Sequence, residues 1–140
     1  MEEARQHPSL KGGSMLRWCL GALLLVSAGS VEAADWIRVA SGDMGSVGYI
    51  DAESIRANGE YRTVWVRWDS SKDKTKRAKT SKEQYEIGCA SRTLKLLYWV
   101  DYGASGQQLG SGPKYPSLQE AEPAVPDTTG ESILNAVCQS

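Results

Sequence analysis

The chain has 140 residues, with 16 lysines and arginines against 17 aspartates and glutamates, a formal net charge of −1 and 41% hydrophobic residues. This length accommodates one domain and excludes large multidomain enzymes. The hydrophobic content is typical of a globular protein, and the balanced charge provides no general attraction to nucleic acid or to anionic lipid. Nucleic acid is therefore not an expected partner, and an electrostatic function must depend on a local cluster of charges.

The N-terminal part of the chain has the pattern of an export signal. Arg17 precedes an apolar run over residues 18–26, and the Val-Glu-Ala segment that ends at Ala33 has the small-x-small form accepted by signal peptidase. We predict a signal peptide over residues 1–33, cleaved after Ala33, and one domain over residues 34–140. The apolar run is shorter than the ~20 residues that cross a bilayer, so no membrane span is expected in the mature chain.

Two boundaries of this signal stay open. A second small-residue segment ends at Ala28 and is an alternative cleavage site, and Met15 is an alternative start that makes residues 1–14 an upstream extension. Cys19 follows a tryptophan and an arginine rather than the small apolar residues of a lipoprotein signal. The expected location is therefore the periplasm, the cell surface or the medium, without a lipid anchor.

Cleavage of the signal removes Cys19 and leaves two cysteines, Cys89 and Cys138. In an oxidising compartment two cysteines pair, and only one connectivity exists. We therefore predict a disulfide between Cys89 and Cys138. The alternative is a free, reactive or intermolecular cysteine at each position.

The mature chain begins with short alternating segments that are typical of antiparallel strands. Two strands are predicted over residues 36–41 and 46–51, joined by a glycine-containing turn, and one helical turn is predicted over residues 52–56. A longer strand is predicted over residues 60–69. Its two faces separate by alternation into Val64, Val66 and Trp68 on one side and Tyr61, Thr63, Trp65 and Arg67 on the other.

The segment 70–82 loses this alternation and is strongly basic, so a loop is expected there. Alternation returns over residues 83–89 and is clearest over residues 92–102, and both segments are predicted to be strands. In the second strand, apolar side chains recur at every other position, which predicts that they share the core-facing side. These side chains are Leu94, Leu96, Tyr98, Val100 and Tyr102.

The C-terminal part contains a weak edge strand, a proline-rich segment and a helix. The edge strand is predicted over residues 107–110, and the prolines within residues 111–126 predict an extended crossing, since proline has no N–H for a ladder. Thr128 and Glu131 have the spacing of a capping box, in which the carboxylate returns to the N–H of the cap residue. The helix that follows has an apolar stripe of Ile133, Leu134, Val137 and Cys138.

Together, these segments resemble the surface-adhesin protein E domain family of Gram-negative bacteria. The resemblance depends on Trp36 at a strand start, residues 49–51 and 64–67, a cysteine at a strand end followed by Arg92, and residues 125–138. It implies an α+β fold, with a single curved antiparallel sheet of about six strands and a C-terminal helix packed on one face and tied by a disulfide. It also implies a surface protein that binds host extracellular-matrix or plasma proteins.

The residues predict no catalytic set. The single histidine, His7, is removed with the signal, which argues against serine and cysteine hydrolases and against His/Cys metal sites. We expect no enzymatic activity, no metal and no cofactor. Three pairs of neighbouring carboxylates are interpreted as solvated charges because each lies in a turn, at a strand end or in the proline-rich segment: Asp51 with Glu53, Glu83 with Glu86, and Glu120 with Glu122.

The basic segment is the candidate ligand-binding site. Its cations are Lys72, Lys74, Lys76, Arg77, Lys79 and Lys82, and its one acidic residue is Asp73. Such a cluster predicts charge-assisted binding of an acidic protein segment or an anionic glycan. The first alternative is a solvated loop without a ligand. The second places the ligand on Trp65, Trp68 and Trp99, which we interpret as core or helix contacts.

Two further alternatives concern function and assembly. Ser111 to Tyr115 have the Ser-Gly-x-x-Tyr pattern of a loop in small periplasmic lysozyme inhibitors, so the alternative function is that of an envelope-associated or inhibitor protein. The predicted edge strands, residues 36–41 and 107–110, have backbone groups that a second copy could pair with. This allows a homodimer formed by strand addition.

Overall fold

The structure is a computed structural model that describes residues 34–113 and 120–139. Within these residues it contains one antiparallel sheet of eight strands and one α-helix, which confirms the predicted α+β fold. The predicted signal peptide, residues 1–33, lies outside the described residues. The strands are β1 (Trp36–Ser41), β2 (Val47–Asp51), β3 (Arg56–Asn58), β4 (Tyr61–Asp69), β5 (Thr80–Gly88), β6 (Thr93–Tyr102), β7 (Gln108–Pro113) and β8 (Glu122–Pro123), and the helix is α1 (Thr129–Cys138).

Six strands form the main path of the sheet, in the order β1-β2-β4-β5-β6-β7. The short strands β3 and β8 lie off this path, where β3 pairs with the start of β4 and β8 pairs with the start of β6. The main path corresponds to the predicted sheet of about six strands. β8 lies in the proline-rich segment where only an extended crossing is predicted, and residues 114–119 of that segment lie outside the described residues.

Two strands extend further than the alternation predicts. β5 begins at Thr80, so that Lys82, expected in the loop, is a strand residue. The N–H of Lys79 donates a hydrogen bond to the C=O of Tyr102, and pairing therefore starts before the apolar pattern returns. β7 continues to Pro113, which is tolerated because β7 is an edge strand and needs no donor on its outer side.

The hydrophobic core lies between α1 and one face of the sheet, here called the helix face. Ile133, Leu134 and Val137 of α1 are at most 2% exposed and pack with Val64 and Ile87 of the central strands. Burial of a side chain of this size stabilises the fold by about 1.5–3 kcal/mol. A helix of 10 residues, which is marginal in isolation, is therefore stable on this sheet.

The predicted disulfide holds the end of α1 against the sheet. Cys89 directly follows β5, and Cys138 is the last residue of α1; their Cα atoms are 5.7 Å apart. α1 is the only α-helix of the described residues, and the side of the sheet opposite to it is here called the open face.

β6 departs from the predicted unbroken alternation. Leu96 pairs with Tyr85, whereas Tyr98 pairs with the adjacent residue of β5, Gln84. Leu97 is therefore an extra residue, a β-bulge. Because adjacent residues of a strand point to opposite faces, Leu96 lies on the helix face and Tyr98 on the open face.

The prediction of a single core face along β6 is consequently wrong for its second half. Leu94, before the bulge, packs against the core, whereas Tyr98, after it, is 36% exposed. Val100 and Tyr102 follow Tyr98 at two-residue steps and lie on the open face as well.

The start of α1 is capped in a way that differs in part from the prediction. The hydroxyl of Thr128 accepts a hydrogen bond from the Glu131 N–H at 3.4 Å, as a capping box requires. The Glu131 carboxylate does not return to Thr128; it accepts from the Asp127 N–H at 2.9 Å and binds the Arg92 guanidinium at 2.6 Å. The cap therefore also connects α1 to the turn between β5 and β6.

Candidate binding surfaces

The predicted basic segment is divided between a loop and the sheet. The loop between β4 and β5 carries four exposed cations, here called the basic loop: Lys72, Lys74, Lys76 and Arg77. Lys79 and Lys82 are partly buried, and Lys82 lies within β5. The structure therefore exposes four of the six predicted site residues on one loop, whereas Lys79 is partly buried at the end of that loop and Lys82 lies in the sheet.

Asp73 organises the basic loop from the inside. It is 5% exposed, and its carboxylate accepts hydrogen bonds from the Thr75 hydroxyl at 2.6 Å and from the Thr75 N–H at 2.9 Å. These bonds favour the charged form and hold the pKa of Asp73 below its usual value. The Lys79 ammonium donates to the Asp73 C=O at 2.6 Å. Both residues thus anchor the loop and do not present free charges to a ligand.

Lys76 extends from the basic loop to a groove on the helix face. The groove has a volume of about 530 Å³ and lies between the β1–β2 turn and the start of α1. Trp68 forms part of its wall; the indole N–H donates to the Glu83 carboxylate at 2.8 Å, and the Tyr85 hydroxyl donates to the same oxygen at 2.7 Å. Burial and the charge of Glu83 raise the pKa of Tyr85, so its hydroxyl stays protonated as a donor.

The three tryptophans considered as an aromatic site do not share one face of the sheet. Trp68 packs against the core, and the Trp99 ring lies against Gly110 of β7. Trp65 lies on the open face, where it forms an edge-to-face pair with Tyr98 at a centroid distance of 6.5 Å. They therefore do not form one platform for a ligand.

The open face carries a cluster of rings and cations that was not a sequence prediction. The Arg67 guanidinium lies 4.5 Å from the centroid of the Tyr49 ring and 5.0 Å from that of Trp36. The Lys82 ammonium lies 5.8 Å from the Tyr102 centroid and 5.9 Å from that of Trp36. These distances are typical of cation–π contacts. The sequence shows the alternation of each strand, but the cluster depends on which strands are neighbours.

The carboxylate pairs noted in the sequence do not form paired acidic sites in the described residues. The Asp51 carboxylate accepts a hydrogen bond from the Glu53 N–H at 3.2 Å, and Glu83 and Glu86 lie on opposite faces of β5. Glu120 is exposed. Among residues 34–113 and 120–139, no cluster of three His, Cys, Asp or Glu side chains is placed to hold a metal ion.

The segment compared with lysozyme inhibitors begins in a strand. Ser111, Gly112 and Pro113 pair with residues of β6, so the first part of the predicted loop is regular sheet. Lys114 and Tyr115 lie outside the described residues. The structure therefore provides no support for that loop.

The fold and these surfaces define a class of protein, a disulfide-tied α+β domain with exposed cationic and aromatic surfaces. Residues 36–139 match the family model described as Surface-adhesin protein E. Because the match spans most of the chain, the chain belongs to this family, and the resemblance inferred from its residues is confirmed. The family is one of surface proteins with an adhesin-like binding role.

Two crystal structures of Haemophilus influenzae protein E share this fold. One is 21% identical with a TM-score of 0.51, covering 76% of this chain and 89% of that chain. A second crystal form is 20% identical with a TM-score of 0.52, covering 76% of this chain and 92% of that chain. No curated protein sequence matches the chain significantly.

In the described part of this chain, no helix has the length and apolar character that a bilayer crossing requires.

Proposed function

We propose that this chain is an exported, non-enzymatic adhesin whose basic loop binds an acidic segment of a host extracellular-matrix or plasma protein. The observation that carries the proposal is the exposure of four cations on a loop anchored by the buried Asp73. An anchored loop loses less conformational entropy on binding than a flexible one. Membership of the surface-adhesin protein E family supports a binding role. An anionic glycan offers the same charge chemistry and is the alternative ligand.

The test is retention of the purified mature protein on immobilised vitronectin and on heparin. In the loop variant, Lys72→Ser, Lys74→Ser and Arg77→Ser are combined, and Lys76 is kept because it lines the groove. We expect at least tenfold weaker binding at low salt, because three charge-assisted contacts are lost. The residual binding should also depend less on salt concentration.

A matched control removes three cations elsewhere on the domain. Arg38→Ser, Arg56→Ser and Lys95→Ser produce the same net charge as the loop variant, but they change β1, β3 and β6. We expect this control to keep most of the binding. Equal losses in both variants would show that only net charge matters, and unchanged binding in the loop variant would exclude the basic loop as the site.

The proposal includes export by a signal peptide over residues 1–33, which leaves the domain 34–140. N-terminal sequencing of the mature protein tests the cleavage site. Protease treatment of intact cells tests display at the surface: digestion supports adhesion, whereas a protected periplasmic pool supports the alternative of an envelope-associated protein. Retention on immobilised lysozyme would favour the inhibitor alternative.

We further propose that the sheet edges support a homodimer by strand addition. β1 and β7 are the outer strands of the main path, and each has one side without a partner strand in the described part of the chain. Light scattering measures the molar mass of the mature protein directly. A monomeric mass at micromolar concentration would exclude a stable dimer.

A further inference from the structure

A basin lies on the open face, at the end of the sheet where the basic loop leaves it. Its volume is about 490 Å³, which is within the usual range of ligand sites. Its lining includes three cations, one carboxylate and one aromatic ring: Arg67, Lys79, Lys82, Asp69 and Tyr102. The four cations of the basic loop do not line it, so the basin is a separate surface.

Arg67 and Lys82 are neighbouring cations of this basin. They are paired directly across β4 and β5, a position at which like charges repel. Neither side chain forms an ion pair with a carboxylate of the described residues. The Nε atom of Arg67 is buried and has no hydrogen-bond partner within those residues. An anionic group between the two cations would relieve the repulsion.

Asp69 restricts which anionic ligands suit the basin. Its carboxylate accepts a hydrogen bond from the Ser71 N–H at 2.9 Å, and hydrogen bonding to Ser71, with a smaller effect of the Arg67 charge, holds its pKa below the usual value. An ionised carboxylate repels further carboxylates but accepts hydrogen bonds from hydroxyl groups. A suitable ligand therefore combines an anionic group with neutral hydroxyls, which a run of acidic residues such as hexaglutamate lacks.

The backbone beneath the basin also disfavours a peptide. β4 and β5 are inner strands, and their N–H and C=O groups are used in the ladders on both sides. An extended peptide consequently finds no free edge to pair with on this face. Tyr102 contributes an aromatic ring, whose partially negative face attracts the C–H groups of a sugar ring.

We propose that this basin binds an acidic saccharide. Its carboxylate or sulfate group lies between Arg67 and Lys82, a hydroxyl donates to Asp69, and the sugar ring packs against Tyr102. The proposal concerns a surface other than the basic loop and stands independently of the function proposed above.

The test is titration calorimetry with the mature protein carrying Lys72→Ser, Lys74→Ser and Arg77→Ser, which removes three of the four loop cations and so weakens binding by the basic loop. The probes are a heparin tetrasaccharide, with sulfates and carboxylates, and a hyaluronan tetrasaccharide, with carboxylates alone. We expect Arg67→Met to weaken binding at least tenfold, and Arg67→Lys to restore part of it. Binding of both probes identifies a carboxylate as sufficient, and binding of the heparin probe alone identifies a sulfate.

A second substitution separates a saccharide site from a general anion site. Asp69→Asn removes a strong acceptor for hydroxyls together with a repulsive charge. We therefore expect weaker binding of the tetrasaccharide and stronger binding of hexaglutamate. Near-UV circular dichroism checks that the variants fold; if Arg67→Met does not, Lys82→Met and Tyr102→Leu are expected to show the same loss of affinity.

Three results would overturn the proposal: no binding of either tetrasaccharide, unchanged affinity in the folded basin variants, or tighter binding of hexaglutamate than of both saccharides, which would indicate a site for acidic peptides. Because three of the four loop cations are removed in every sample, these results leave the adhesin proposal unaffected.

Discussion

Asp73 and Lys79 show how hydrogen bonds remove a charged residue from a binding surface. In the sequence, Asp73 is the one acidic residue of the basic segment and Lys79 is one of its six cations, and neither position shows whether the side chain is exposed. In the structure, the Asp73 carboxylate binds Thr75 and its C=O accepts from the Lys79 ammonium. Within the loop itself, the charge that remains available to a partner is therefore that of its four exposed cations.

The lowered pKa of Asp73 predicts a dependence of stability on pH. A carboxylate whose pKa is lower in the folded state stabilises the fold above its unfolded value, near pH 4, and this contribution is lost as the pH falls through the folded pKa. We expect Asp73→Asn to lower the free energy of unfolding most at neutral pH. The difference from the wild type should shrink as the pH falls from about 5 to 2.

Urea unfolding of both proteins at neutral and acidic pH measures this difference. The control is Asp43→Asn, which changes an exposed aspartate in the β1–β2 turn and reports the effect of removing one negative charge. A destabilisation by Asp73→Asn that is the same at every pH would contradict the electrostatic explanation.

At the scale of elements, the bulge in β6 decides which side chains reach the open face. One extra residue, Leu97, reverses the faces of everything that follows in the strand. Tyr102 is thereby on the same face as Lys82, where it becomes part of the basin. Without the bulge, the predicted alternation would direct this ring to the core.

Deletion of Leu97 tests the role of the bulge. The deletion removes the unpaired residue and leaves Tyr98 opposite Gln84, so both halves of β6 keep their faces. We expect a cooperatively folded protein that is less stable by about 1–3 kcal/mol, because some apolar contact is lost. Urea unfolding followed by tryptophan fluorescence measures the change.

Deletion of Val100 is the matched control. It removes a residue from the regular part of the ladder, so either residues 97–99 or the residues after the deletion must change faces. We expect a larger loss of stability than for the deletion of Leu97. Equal losses in the two variants would contradict the assignment of Leu97 as a tolerated extra residue.

At the scale of the whole molecule, the disulfide and the core act on the same short helix. α1 buries Ile133, Leu134 and Val137 against the sheet, and the bond to Cys89 restrains its last turn. The cysteines are 49 residues apart, so the bond also restricts the unfolded chain. For this separation, the chain-entropy estimate is about 4 kcal/mol, a large part of the 5–15 kcal/mol typical of a domain.

Replacement of both cysteines tests this contribution. We expect the Cys89→Ala/Cys138→Ala variant to be less stable than the oxidised wild type by about 2–5 kcal/mol in urea unfolding. The reduced wild type is the control and should show a similar loss. Equal stability of the oxidised and reduced proteins would show that packing of α1 alone accounts for its attachment.

Much of the fold could be predicted because its signals are local. Alternation in residues 36–41, 60–69 and 83–89 predicts strands, and the spacing of Thr128 and Glu131 predicts the start of the helix. The start of β5 and the end of β7 could not be predicted from the sequence, because the backbone hydrogen bonds at these positions form without an alternating apolar pattern. The cations of the basic loop could be predicted from the sequence. The burial of Asp73 could not, because its hydrogen-bond partners Thr75 and Lys79 come into contact with it only in the folded loop.

By itself, the sequence determined the class of fold, the pairing of Cys89 with Cys138 and the position of a strongly basic loop, since each of these follows from residue order, spacing or composition. Only the tertiary structure decided that Lys82 and Arg67 are paired on adjacent strands and that Tyr102 lies on the open face with them. It also decided that the Nε donor of Arg67 is buried without a hydrogen-bond partner among the described residues. The physical reason is that strand register and a single bulged residue set the neighbours across a sheet, and neither is encoded in the alternation of one strand.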